Sequence, residues 1–169
     1  MKLVRYGNPG KEKPGLIDAE GKLRDLSGVV PDIGGAQLGD AALAKLRKLK
    51  TDKLPLVRGK PRYGSPVAGV GKFIAIGLNY RDHAIESGQP IPAEPIIFMQ
   101  ATSCIQGPND PVMLPRGSKK TDWEVELGGV IGRTARHVTQ KDSLADPTSV
   151  VSGKSVARGG PRIVKQTKT

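Results

Sequence analysis

Residues 73–86 read Phe-Ile-Ala-Ile-Gly-Leu-Asn-Tyr-Arg-Asp-His-Ala-Ile-Glu. The first four are apolar and Gly77 closes the run, which predicts a short strand over residues 73–76. Asn79 or Asp82 can cap the segment that follows, so we expect a short helix that reaches Glu86. With 22 glycines and 14 prolines in the chain, this unit indicates an α+β, β-rich fold with many turns rather than a helical bundle.

Further strands are predicted on the C-terminal side of this unit. Three prolines between residues 89 and 95 exclude a helix or a central strand there. Residues 96–99 are again apolar and predict a strand, and residues 107–111 (Gly-Pro-Asn-Asp-Pro) predict a tight turn. Residues 122–127 (Asp-Trp-Glu-Val-Glu-Leu) alternate strictly between polar and apolar side chains, which is typical of a strand.

The N-terminal part predicts a small mixed unit. Lys2 to Tyr6 is a candidate strand, and the turn residues 18–21 favour a hairpin between residues 15–17 and 22–26. Asp40 can cap a helix over residues 41–49 with Ala42, Leu46 and Leu49 on one side. The predicted organisation is an N-terminal domain (1–54), a linker rich in proline and basic residues (55–66), a second unit (67–138) and a tail (139–169).

Composition narrows the class of protein. No apolar run in the 169 residues reaches the ~18 that a membrane span needs, and Cys104 has no second cysteine with which to pair. We therefore expect a cytoplasmic protein that binds no membrane. The net charge of +11 raises nucleic-acid binding, but the basic residues are dispersed and no nucleic-acid motif accompanies them, so no nucleic-acid partner is predicted.

His83 and Glu86 form the first candidate for chemistry. Three residues apart on a helix, they share one face, and the carboxylate can hold the imidazole in one tautomer while the ring takes a proton from water. A surface histidine beside a helix-stabilising glutamate has the same spacing and is the commoner case.

Glu124 and Glu126 form the second candidate. On a strand they share one face, with Cα atoms roughly 6.5–7 Å apart, and two such carboxylates can converge on a hard cation such as Mg²⁺. An edge strand with a solvated acidic face has the same pattern, and spacing alone favours that simpler interpretation.

The order of these motifs is more specific than any one of them. The apolar strand, Gly77-x-Asn79-Tyr80-x-x-His83-x-x-Glu86, the proline-rich loop, residues 97–99, the turn at residues 107–110 and then residues 122–127 resemble the fumarylacetoacetate hydrolase (FAH) family. The similarity is greatest to its bacterial branch of ureidoglycolate lyases, 2,4-diketo-3-deoxy sugar-acid hydrolases and hydroxyheptadienedioate isomerases. Residues 2–7 and 15–18 resemble that branch's leader domain, so the resemblance covers roughly residues 1–138.

The resemblance implies a homodimeric enzyme in which the small N-terminal domain precedes an incomplete catalytic domain (67–138), the first part of a mixed β-roll of the FAH type. It assigns Mg²⁺ or Mn²⁺ to Glu124 and Glu126, and water activation to His83 and Glu86. The implied substrate is a small 2,4-dioxo acid or ureidoglycolate, cleaved at a C–C or C–N bond. The alternative is a non-catalytic binding protein built from the leader domain and half of the roll.

The tail departs from the family pattern. Residues 139–169 contain no aromatic residue, eight apolar, six basic and two acidic residues, and no periodicity can be counted in them. The family's third metal ligand has no counterpart there. We therefore expect residues 139–169 to be a non-native or disordered tail, the native sequence to be truncated or frameshifted after about residue 142, and the chain as given to be an inactive fragment.

Overall fold

The computed structural model describes residues 1–122, 124–132, 134 and 136–139, together with the backbone of residues 148–149 and 163–164. Trp123 and most of the predicted tail lie outside the described residues. The described part divides into a first unit, formed by residues 1–68 and the chain from residue 106 onward, and a second unit, residues 69–105. The domain boundaries predicted at residues 54, 66 and 138 stay predictions.

A three-stranded antiparallel sheet forms the start of the first unit. Its strands are β1 (Lys2–Tyr6), β2 (Lys13–Ile17) and β3 (Leu23–Asp25), in that spatial order. Asp18 accepts backbone hydrogen bonds from Glu20 and Lys22, and Gly21 has a φ of +79°, which closes the β2–β3 hairpin. The predicted first strand and hairpin are confirmed.

Two short helices follow the sheet, α1 (Gly35–Leu38) and α2 (Asp40–Arg47). The position before α2 is Gly39 rather than the predicted cap Asp40, which is the first residue of the helix. Leu43 and Leu46 are the buried residues of α2, since they lie three positions apart on one face. Leu43 joins Ile33 and Leu38 in a small core, against which Leu3, Val67 and Val130 pack.

The predicted linker is hydrogen-bonded along both edges of the sheet. Pro55 and Val57 exchange backbone hydrogen bonds with Asp25 and Leu23 at the β3 edge. Residues 62–64 hydrogen-bond along the β1 edge, with a bridge between Tyr6 and Tyr63. Residues 55–66 are thus irregular in secondary structure but held to the sheet by main-chain hydrogen bonds.

The second unit contains an antiparallel ribbon and a short helix. The ribbon strands are β4 (Phe73–Gly77) and β5 (Ile96–Gln100), and α3 (Arg81–Glu86) lies between them in sequence. Both predicted strands and the helix are confirmed. The position that caps α3 is Tyr80, without a side-chain cap hydrogen bond, so the predicted caps Asn79 and Asp82 are wrong.

Short strand pairs complete the described backbone. They are β6 (Val112–Met113) with β9 (Ile163–Val164), which run parallel, and β7 (Val130–Ile131) with β8 (Thr148–Ser149), which run antiparallel. In the part of the chain that the structure describes, no helix has both the length and the apolar character needed to cross a membrane.

Candidate functional site

Helix α3 presents His83 and Glu86 to solvent. Both side chains are exposed, whereas Ala84 between them is fully buried. Because the helix has six residues and buries only that one small side chain, the polar residues on its other faces remain accessible. Leu78, just before the helix, has a φ of +46°, an uncommon conformation for a residue with a side chain. This turn directs the chain from β4 into α3.

The structure places His83 and Glu86 one helical turn apart, as their spacing predicts. No hydrogen bond joins the two side chains, both of which are described. An exposed imidazole can exchange protons with water, and a carboxylate at i+3 is within reach after a rotamer change. The roles of His83 and Glu86 in water activation stay predictions.

Glu124 and Glu126 lie in the first unit, in a segment without regular secondary structure. The predicted strand over residues 122–127 is wrong for the described residues of that segment, because none of residues 124–129 is in a strand. Val125 has a φ of +54°, which is incompatible with an extended strand and breaks the alternation of side-chain direction. Regular strand begins only at Val130. Both glutamates are exposed.

Two carboxylates close in sequence match the oxygen ligands that Mg²⁺ and Mn²⁺ prefer. Within the described ranges, however, no three histidine, cysteine, aspartate or glutamate side chains come together as a metal site. The donor chemistry of Glu124 and Glu126 therefore fits a hard cation, with water or further ligands needed to fill a six-coordinate shell.

A chain of ion pairs in the first unit was not predicted from the sequence. Arg5 donates to both carboxylate oxygens of Asp32 at 2.7 and 3.0 Å, and lies 3.6 Å from Glu12. Arg62 donates to Glu12 at 2.9 Å and to both oxygens of Asp110 at 2.7 and 2.6 Å. Arg5 and Asp32 are 27 residues apart in sequence, and Arg62 is 48 and 50 residues from its two partners. No local pattern in the sequence therefore predicts these contacts.

These contacts lower the pKa of each carboxylate in the chain of ion pairs. Hydrogen bonds from Arg62 hold the pKa of Glu12 below its ordinary value of 4.5 and that of Asp110 below 3.8. The hydrogen bonds from Arg5 lower the pKa of Asp32 in the same way. In return, Asp110 and Glu12 raise the pKa of Arg62. The ion pairs are therefore fully charged at neutral pH.

Comparison with known proteins gives a consistent match. The family model described as fumarylacetoacetate (FAA) hydrolase, C-terminal, matches residues 72–157, about half of the chain. A protein of Burkholderia multivorans named as a hydrolase is 58% identical over 144 residues, which are 85% of this chain and 51% of that protein. A 2,4-didehydro-3-deoxy-L-rhamnonate hydrolase of a Sphingomonas species is 57% identical over 145 residues, 86% of this chain and 49% of that enzyme.

Solved structures agree with the sequence comparison. An HpcE protein from Mycobacterium smegmatis has a TM-score of 0.65 and 31% identity over 86% of this chain and 51% of that chain. The fumarylacetoacetate hydrolase of Exiguobacterium antarcticum has a TM-score of 0.61 and 26% identity over 86% of this chain and 52% of that chain. This chain thus spans about half the length of the curated relatives it matches.

Proposed function

Because the chain belongs to the fumarylacetoacetate hydrolase family, we propose that it carries part of the active site of a hydrolase of small 2,4-dioxo acids. The observation that supports this substrate class most directly is the 57% identity to the Sphingomonas enzyme, whose name specifies a 2,4-didehydro-3-deoxy sugar acid. The Burkholderia relatives, named as hydrolases, support the same type of reaction.

His83 is the general base in this proposal. One ring nitrogen of the exposed imidazole takes a proton from water, and the hydroxide so formed attacks a carbonyl carbon of the substrate. Glu86 accepts a hydrogen bond from the other ring nitrogen, which fixes the tautomer and stabilises the imidazolium. The C–C bond beside the attacked carbon then breaks, and its electron pair leaves as an enolate that is later protonated.

Glu124 and Glu126 would hold the divalent cation, Mg²⁺ or Mn²⁺, through their exposed carboxylates. When bound, such an ion polarises a substrate carbonyl as a Lewis acid. Cleavage of a C–N bond, as in ureidoglycolate, would use the same side chains and is the alternative substrate within the family. The homodimer and the cytoplasmic location are part of the same proposal.

Turnover of a 2,4-dioxo acid in the presence of Mg²⁺ tests the proposal. In a protein whose catalytic domain has been completed, His83→Asn should lower kcat by about 10²- to 10⁴-fold, because that is the usual contribution of a general base. His137→Asn is the matched control: it replaces the other histidine, which is exposed and has a φ of +53° that asparagine tolerates. Equal activity of the two variants would exclude His83 as the base.

Calorimetry with Mg²⁺ or Mn²⁺ tests the metal ligands separately. The double variant Glu124→Gln/Glu126→Gln should lose the binding heat, and Glu20→Gln/Glu94→Gln, at two other exposed glutamates, should keep it. His83→Asn should leave metal affinity within about threefold, because a base that acts on water is not a ligand. Equal heats for both double variants, together with no turnover after the catalytic domain has been completed, would favour the non-catalytic binding protein.

The predicted inactivity of the chain as given is tested by the same assay. The frameshift interpretation predicts that restoring the frame by one base near the codons for residues 142–151 yields an active protein. Turnover by the unaltered chain with Mg²⁺ would contradict it. The family model matches the chain as far as residue 157, beyond the predicted end near residue 142. The codons after residue 157 are therefore equally informative about where the native reading frame is lost.

A further inference from the structure

The chain leaves the first unit after Ala68 and returns to it at Gln106, so residues 69–105 are an insertion in sequence. The outgoing segment, residues 62–64, is attached to β1 by main-chain hydrogen bonds. The Gly7 N–H donates to the Arg62 carbonyl and the Gly64 N–H donates to the Arg5 carbonyl, both at 2.9 Å. The outgoing segment is therefore fixed to the sheet immediately before the insertion begins.

The returning segment, residues 107–110, is a turn closed by two hydrogen bonds. The Asp110 N–H donates to the Gly107 carbonyl at 3.1 Å, and the Gly107 N–H donates to Asp110 Oδ2 at 2.8 Å. The same carboxylate accepts two hydrogen bonds from the Arg62 guanidinium. A single ion pair thus joins the segments on either side of the insertion.

Glu12 connects this ion pair to the sheet, because it stands directly before β2. Arg62 Nη1 donates to Glu12 Oε1 at 2.9 Å and to the Gly7 carbonyl at 3.1 Å. The Glu12 side chain is 9% exposed, so its charge depends on Arg62 and Arg5 for compensation. Hydrogen bonds between charged groups of this kind are stronger than those between neutral groups.

Close backbone packing reinforces the charges. A Cβ added at Gly107 would collide with the Tyr63 carbonyl oxygen, which places the returning turn directly against the outgoing segment. A Cβ at Gly64 would come within 2.7 Å of Glu12 Cγ. The two segments are thus held by steric fit as well as by ion pairs.

We propose that residues 62–64 and 107–110, joined by Arg62, Asp110 and Glu12, form a clasp that opens as one local step while the β1–β3 sheet stays paired. The ion pair is partly exposed, at 25% for Arg62 and 18% for Asp110, whereas Leu16 of β2 is buried. Opening the clasp leaves Leu16 and the pairing of β1, β2 and β3 in place, and therefore costs less than unfolding the sheet.

The clasp acts on both ends of the insertion together. The Arg62 guanidinium of the outgoing segment contacts Asp110 in the returning turn as well as Gly7 and Glu12 beside the sheet, so loss of its contacts loosens both segments. This inference is independent of the proposed hydrolase activity.

Native-state hydrogen exchange on the full chain tests the clasp. Arg62→Met removes the charge, and Gly107→Ala adds a Cβ that would collide with the Tyr63 carbonyl oxygen and with Asp110 Oδ2. Both variants should speed exchange about tenfold or more in residues 62–68 and in residues 106–113, because each breaks the same clasp. Exchange in residues 13–26, which include β2 and β3, should be unchanged.

Each variant has a matched control. Arg24→Met removes the ion pair with Asp18, which has a similar length of 2.8 Å but joins residues only six apart in one hairpin. Gly28→Ala adds a Cβ that meets no atom within 4 Å. Neither control should alter exchange in residues 62–68 or 106–113.

The wild-type chain supplies a measurement that does not depend on variants folding. In sub-denaturing urea, the two flanking segments should share one opening free energy and one urea dependence, both smaller than those of residues 13–26. Different values for the two segments would overturn the clasp as a single step. Equal acceleration of all three regions in Arg62→Met would also overturn it, since that is global destabilisation.

Discussion

Strand β2 in the first unit (Lys-Pro-Gly-Leu-Ile) buries three consecutive residues, although only two of its five side chains are large and apolar. Strand β5 in the second unit (Ile-Ile-Phe-Met-Gln) has four large apolar side chains and buries none of them. Ile97 is 68% exposed and Leu16 is 1% exposed. The apolar content of a strand therefore does not determine its burial, which depends on the elements that pack against it.

The cross-strand register distributes the apolar side chains of the ribbon over both of its faces. Ile74 pairs with Met99 and Ile76 with Ile97, so these four side chains share one face. The aromatic pair of residues, Phe73 and Phe98, lies on the opposite face and is also partly exposed. Strands that are apolar on both faces are typical of sheets covered on both sides. Within the first unit, in contrast, Arg5, Arg24 and Arg62 each pair with a carboxylate.

The largest expected effect comes from the core of the first unit. Leu16→Ala should lower the free energy of unfolding by about 2–5 kcal/mol, because a nearly fully buried leucine leaves a cavity. Ile97→Ala, at an exposed position of the ribbon, should change it by less than about 0.5 kcal/mol. Urea denaturation followed by far-ultraviolet circular dichroism measures both. Similar losses would contradict the contrast between the units.

Acid should weaken the first unit through its ion pairs. The pKa values of Glu12, Asp32 and Asp110 are lowered in the folded state, so their stabilising contribution is complete above the ordinary values of 4.5 and 3.8. It is lost as the pH falls through the lower folded values. The urea midpoint should thus be constant from pH 7 to about 5 and fall below about pH 4.5.

Asp32→Asn should lower the midpoint at pH 7 and flatten the fall in acid, because one of the shifted carboxyls is removed. The control is Asp52→Asn. Asp52 is exposed and takes part in none of the ion pairs formed among the residues that the structure describes. Its pH profile should overlay that of the wild type. A profile of Asp32→Asn as steep as the wild type would show that the Arg5 contact does not contribute to acid stability.

Replacing exposed apolar side chains of the ribbon should produce the smallest change in stability, while it reduces association between copies of the chain. Ile97→Thr/Met99→Thr removes apolar surface from one face of the ribbon and keeps β-branched or strand-compatible side chains. The solubility limit should rise, since exposed apolar strands promote edge and face association, while the urea midpoint stays within error. Light scattering against protein concentration measures the first effect.

The matched control is Leu56→Thr/Met113→Thr, at two exposed apolar positions of the first unit that are 48% and 67% exposed. These side chains are not cross-strand neighbours on one ribbon, so their replacement should raise the solubility limit less. If both double variants change it equally, the ribbon is not the principal site of association.

The sequence by itself determined the local elements. Strand β1, the hairpin β2–β3, helix α2, and the β4–α3–β5 order follow from apolar periodicity and turn residues, which act over a few positions in the chain. The i, i+3 relation of His83 and Glu86 follows from helix geometry in the same way. The family also follows, because the ordered set of motifs is long enough to be specific.

Only the tertiary structure decided which regular patterns are realised and which distant residues meet. Residues 122–127 alternate as a strand should, yet Val125 adopts a left-handed backbone, since alternation cannot specify a pairing partner. The contact of Arg62 with Asp110 spans 48 residues, and that of Arg5 with Asp32 spans 27. Such pairs form because the fold brings charged side chains together in partly buried positions, and no local propensity encodes that approach.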